Sequence, residues 1–194
     1  MSPRAYTLGK RTASVEDTRR RVLDAAIATY REVGFRNASV QAIARRADVA
    51  AGTVAYHFPN SDAIVEAALA QVLADLELPK PEDFTGKRSE RVVALVQAMY
   101  AFYAKGADWY PWLERDRDAV PALAKMEKHF ERQFGALVGA VVGPLARDKK
   151  AMAAISLVLS PGTLGSLQRA GLTPEDGADL ACELLLPWLD RRSR

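Results

Sequence analysis

The chain has 194 residues, one cysteine, two histidines and a net charge of +3, with 49% hydrophobic and 26% charged residues. That composition is globular, with enough apolar surface for a sizeable core. It excludes a disulfide framework, and no apolar run approaches the ~20 residues of a bilayer span. The basic, weakly apolar start lacks the h-region of a secretory signal, so a cytoplasmic protein with no membrane partner is expected. The charge is uneven: up to His57 there are ten bases against five acids, +5, which leaves −2 for the remainder. A basic leading piece on a slightly acidic body suits a polyanion on one side.

In chain order, residues 1–13 read as a flexible basic arm, and a first helix is expected from Ser14, its N-cap, to Val33. Val22, Leu23, Ala26, Ile27, Tyr30 and Val33 form its apolar stripe, and Gly34 is placed to end it with positive φ. Ser39 then caps a short helix with an apolar row at Val40, Ile43, Ala44 and Ala47. The turn Asp48-Val49-Ala50 leads to another short helix that stops at Phe58-Pro59. Two short helices joined this way have the shape of a helix-turn-helix DNA reader, so residues 14–59 form the expected DNA-binding domain.

Residues 60–194 are expected to form a ligand-binding and dimerisation domain. A linking helix starts at Asn60 or Ser61 and reaches Glu77, and a loop runs from Pro79 to Gly86. The helix from Lys87 to Lys105 has no charge between Val92 and Ala104, the mark of a helix central to its domain. A short segment with Trp109, Tyr110, Pro111 and Trp112 follows, then the mixed-charge run Glu114 to Asp118. Pro121 opens a helix to Val142, another runs from Asp148 towards Gln168 with a break at Ser160-Pro161-Gly162, and Thr173-Pro174 opens the last. No segment alternates as a strand would, so the expected fold is all-α with about nine helices.

Arg21-Val22-Leu23-Asp24-Ala25-Ala26, Gly34-Phe35, Ser39-Val40, Ile43-Ala44, Ala47, Val49, Gly52-Thr53-Val54 and Tyr56-His57-Phe58 keep one continuous spacing over some fifty residues. In this the chain resembles the TetR family of bacterial transcriptional regulators. The resemblance implies a homodimer that reads a pseudo-palindromic, double-stranded operator through the third helix of each subunit. It also implies a small-molecule effector bound by the larger domain, and repression as the default mode. Ser39, Gln41, Ala51, Gly52, Thr53, Tyr56 and His57 are the expected DNA contacts. Ser39 is equally placed as a simple cap, and His57 could instead pack beside Phe58. Gly52 inside a short helix costs about 1 kcal/mol relative to alanine, so close approach of either DNA or the second helix should justify it.

The sequence departs from the family at three places. Asp48 stands where the turn usually has glycine, Ala55 where a tyrosine is common, and Ser61 where the fourth helix usually begins with lysine. The electrostatic grip on DNA is therefore expected to be thinner than usual. Gln97, Tyr100, Tyr103, Trp109, Trp112, His129 and Phe130 suggest a pocket for an apolar or aromatic effector, with core packing the alternative reading for each aromatic taken singly. Ile155, Val158, Leu159, Leu180, Leu184 and Trp188 suggest a dimer face. No cofactor, metal cluster or catalytic residue is indicated, since neither histidine has a ligand-spaced neighbour and there is no glycine-rich phosphate loop. The rival to a regulator is a helical ligand-binding or scaffolding protein that no longer binds DNA.

Overall fold

The computed structural model describes residues 4–192, with side chains for residues 14–192. Among these residues, ten α-helices follow in order: α1 Arg4–Val33, α2 Val40–Arg46, α3 Ala51–His57, α4 Ser61–Leu76, α5 Arg88–Lys105, α6 Tyr110–Asp116, α7 Pro121–Val142, α8 Lys149–Val158, α9 Pro161–Arg169 and α10 Pro174–Arg192. The described residues include no strand. No single helix among them is long and apolar enough to cross a membrane.

Two details differ from the sequence expectations. Helix α1 is continuous from Arg4, so Ser14 lies inside it and accepts a hydrogen bond from Thr18 through its carbonyl. Of the expected arm, residues 1–3 lie outside the described residues, and residues 4–13 are helical in their backbone. Tyr110, Pro111 and Trp112 with the first three residues of the charge run form a helix of their own, α6, and Trp109 ends the 3-10 turn before it. The expected break at Ser160-Pro161-Gly162 is present: it separates α8 from α9 by a 43° bend, with Ser160 capping α9 through Thr163 N–H.

The caps mostly fall where the side chains predict. Asn60 accepts from Ala63 N–H at 2.8 Å to start α4, and Asp148 accepts from Lys150 N–H to start α8. Thr173 and Asp176 form a reciprocal capping box at α10, each side chain accepting the other's backbone N–H at 3.1 Å.

The helices sort into two compact units. The first holds the residues up to Val72 together with Pro111–Met126. Its core is Val22, Ala26, Tyr30, Phe35, Ile43, Val54, Phe58, Ile64 and Leu123, all at most 4% exposed. Tyr30 and Phe35 meet with ring centroids 4.9 Å apart. Ile27 and Val40, from the expected apolar stripes, are half-buried at its margin, as is Val49 of the turn.

The second unit, Leu73–Tyr110 with Glu127–Arg194, is organised around α5, which packs chiefly on α10. Val96, Met99, Tyr100 and Tyr103 of α5 are buried among Val138 and Val141 of α7, Ile155 of α8 and Ala181 and Leu185 of α10. The long uncharged run of α5 thus serves as the core of this unit. Polar atoms at helix ends are satisfied from α5: the Arg91 guanidinium donates to Val141 O, Tyr100 OH to Val158 O and Tyr103 OH to Leu159 O. Those hydroxyls satisfy orphan carbonyls that a helix terminus would otherwise bury unpaired.

Candidate nucleic-acid interface

Ser39 has extended backbone and its Oγ accepts from Ala42 N–H at 3.1 Å, so it is the N-cap of α2. Gln41 on the next turn is exposed. Helix α2 ends in a Schellman motif: Val49 N–H donates to Ala44 O at 3.0 Å and Asp48 N–H to Arg45 O at 3.2 Å. Asp48 takes the left-handed position with φ 54°, the conformation for which glycine is usually selected. The turn is clamped from outside by Arg21 of α1, whose guanidinium donates to the carbonyls of Ala47 and Asp48. The same guanidinium lies 4.0 Å from the exposed Asp48 carboxylate, partly offsetting that negative charge.

Helix α3 starts at Ala50 without a side-chain cap. Its inner side is fixed by Val54, 1% exposed, and by Phe58 just beyond its end, 4% exposed and covered by the Arg19 guanidinium 5.1 Å from the ring centre. Its outer side carries Ala51, Gly52, Ala55 and Tyr56, all exposed, flanked by the half-buried Thr53 and His57. Tyr56 is 77% exposed, the most exposed large apolar side chain among the described residues, and meets His57 edge-to-face at 5.2 Å. His57 therefore packs on Tyr56, while Phe58 turns inward. A Cβ at Gly52 meets nothing within 4 Å, so contact with α2 does not require glycine there.

The seven expected contacts thus lie in one unit on α2 and α3, and none of them is buried. The cations beside them are partly committed: Arg46 is held bidentately by Glu32 of α1 at 2.7 and 2.8 Å, whereas Arg45 is exposed. Arg46 holds the Glu32 carboxyl below the usual carboxylate range. This ties α1 to α2 without adding charge to the outer face. Arg21 orders the turn through its two carbonyls, a role its place in a charged stretch of α1 does not reveal.

The expected effector residues are dispersed. Gln97 and His129 are exposed, Tyr100, Tyr103 and Trp109 are buried, and Trp112 belongs to the first unit, under the Arg115 guanidinium at 4.5 Å. Phe130 is half-buried and stacks between Phe102 and Phe134, with centroids 6.0 and 6.4 Å apart. A cleft of about 220 Å³ opens in the second unit over Leu76, Phe84, Ala98 and Phe102, with Glu77 and Lys105 paired at 3.3 Å; none of the seven expected residues lines it.

Of the expected dimer residues, Ile155 and Leu159 lie in the unit's own core at 1% and 2% exposure and are unavailable to a partner. Val158, Leu180 and Trp188 are half-buried, and Leu184 is 64% exposed. On α8 the exposed large apolar side chain is Leu157, at 71%.

Two short helices joined by an ordered left-handed turn, braced by a third and presenting a rigid outer face, constitute a helix-turn-helix unit. The profile of bacterial regulatory proteins, tetR family, matches residues 22–68. HTH-type transcriptional regulator SrpR of Pseudomonas putida is 35% identical over 98 residues, covering 50% of this chain and 46% of that one, so the match spans about half of SrpR. The uncharacterized HTH-type transcriptional regulator TtgW, also of Pseudomonas putida, is 34% identical over 98 residues, covering 50% of this chain and 73% of that one. In fold, a solved chain from Pseudomonas aeruginosa PAO1 superposes with a TM-score of 0.74 at 23% identity, over 92% of this chain and 95% of that one. The chain belongs to the TetR family of bacterial regulatory proteins.

If the open space over Gly52 serves DNA rather than the fold, its two roles separate on substitution. Gly52→Ala is expected to stabilise the protein by up to about 1 kcal/mol through helix propensity. Operator affinity should fall, because the added methyl stands between backbone and groove. Thermal melts and gel shifts on the one variant check both signs.

Proposed function

We propose that this protein is a DNA-binding transcriptional regulator, a repressor that binds a pseudo-palindromic double-stranded operator as a homodimer in the bacterial cytoplasm. The observation that carries the proposal is the outer face of α3: exposed Ala51, Gly52, Ala55 and Tyr56 on a helix held rigidly from beneath by Val54 and Phe58. Thr53 reaches a base edge or thymine methyl, and Tyr56, Ser39 and Gln41 supply donors to phosphates. Family membership supports this reading over a helical scaffold that has lost DNA binding. No enzymatic role is assigned to any residue.

Sequencing of duplexes selected by the purified protein tests the proposal, and recovery of no enriched, two-fold symmetric site overturns it. On the selected operator, Tyr56→Phe and Thr53→Ala should each weaken binding about tenfold with unchanged melting temperature. Unchanged gel-shift affinities from both folded variants would remove α3 from the groove.

The effector is a small, largely apolar or aromatic molecule taken up by the second unit, whose Phe102, Phe130 and Phe134 stack in a row. A panel of such compounds should include one that changes tryptophan fluorescence and releases the operator.

A further inference from the structure

We propose that Asp116 is a positioning residue for the DNA reader: from α6 it fixes the turn between α1 and α2 and so sets where α2 begins. The inference rests on the regulator reading above. Asp116 is the one charged residue among those described that is fully buried, at 0% exposure. Its Oδ2 accepts Arg36 N–H at 3.0 Å, and the neighbouring Phe35 amide also favours the ionised carboxylate. Arg115, the preceding residue, donates to it from Nε at 2.7 Å and from Nη2 at 2.9 Å. Arg115 also donates to Val33 O, the last carbonyl of α1, at 3.2 Å, and stacks on Trp112. Two adjacent residues of opposite charge therefore satisfy both sides of one turn, the acid taking its amides and the base its carbonyl.

The fit is close. Gly34 sits inside the latch at φ +81°, and a Cβ there would lie 2.8 Å from Asp116 Oδ2 and from Trp112 Cε3, and against the Arg115 guanidinium. An ion pair whose acid is buried, here Asp116 at 0% against Arg115 at 45% exposure, is a weak device for stability, because its attraction is largely offset by desolvation of the carboxylate. Its directional demands are strong, since each carboxylate oxygen is costly to leave without donors. Moving the Phe35–Arg36 turn strips those donors, so the carboxylate holds the turn, and three residues later Ser39 starts α2.

The test compares Asp116→Asn with a core lesion in the same unit, Ile64→Val or Ile43→Val, whichever matches it in melting temperature. Operator affinity is measured well below both melting temperatures, together with hydrogen exchange of the Phe35 and Arg36 amides. The latch predicts that D116N loses about tenfold more affinity than the matched lesion, and that exchange at these two amides accelerates in D116N alone. Equal affinities, or unchanged exchange in D116N, overturn it. Should D116N not fold, Arg115→Lys carries the same comparison, since it keeps the charge but loses the two-pronged grip. If the wild type selects no duplex, the regulator reading fails; if it does and the variants are equal, only the latch fails.

Discussion

Gly34→Ala should cost the protein about 3 kcal/mol. The left-handed backbone at Gly34 (φ +81°) costs an L-residue roughly 1–2 kcal/mol. The new methyl also has to displace a buried carboxylate and an indole edge, an overpacking term of about 1–3 kcal/mol. For a chain of this length the melting temperature should drop by roughly 10 °C. Calorimetry checks it, and a loss below about 1 kcal/mol would mean that the Asp116 side of the turn yields easily. Acid provides a complementary probe. Hydrogen bonding with Arg115 and the turn amides holds the Asp116 carboxyl below the usual carboxylate range despite its burial. A depressed folded value means that the carboxylate's contribution is fully present above the unfolded value of about 4 and is lost only as pH falls through the folded one. The turn amides should therefore stay protected from pH 8 down to about 5.

Leu184→Glu should turn a dimer into a monomer at micromolar concentration and abolish tight operator binding. Leu184 is exposed on α10, beside half-buried Leu180 and Trp188 at helical spacing on the same face. A carboxylate buried there without a partner is expected to raise the dimer dissociation constant by ~100-fold or more, since stranding one charge costs about 3–5 kcal/mol. In the proposed dimer, half-site spacing would link the two recognition helices, so a monomer should lose most of its operator affinity. Sedimentation velocity reads the first effect and gel shifts the second. A variant that stays dimeric would place the subunit contact elsewhere than on this face of α10.

Much of this is legible in the residues, because the signals are local. Ser39 and Thr173 cap their helices through their own side chains, and Gly34 and Asp48 take left-handed conformations that end theirs. The face of α3 can be read from seven residues. What escapes a sequence reading depends on contacts distant in the chain. Asp116 sits between Arg115 and Arg117 with Glu114 and Asp118 close by, and only its pairing with Arg36, 80 residues away, singles it out for burial. Helix α6 is hidden for the same reason: at 7 residues it has little intrinsic stability and relies on that docking. On α8 and just beyond it, Ile155, Leu157 and Leu159 are equally apolar. Composition does not say which of them face inward, and the first and last do.

The low relief of α3 has a consequence for how this protein could change its target. Ala51, Gly52 and Ala55 point outward, and the space over Gly52 is open. Larger side chains at these three positions disturb no core and break no hydrogen bond that the fold depends on. The surface proposed to select sequence is thus separate from the surface that sustains folding. A library varied only at these positions should remain almost uniformly folded while its members diverge in the duplexes they prefer.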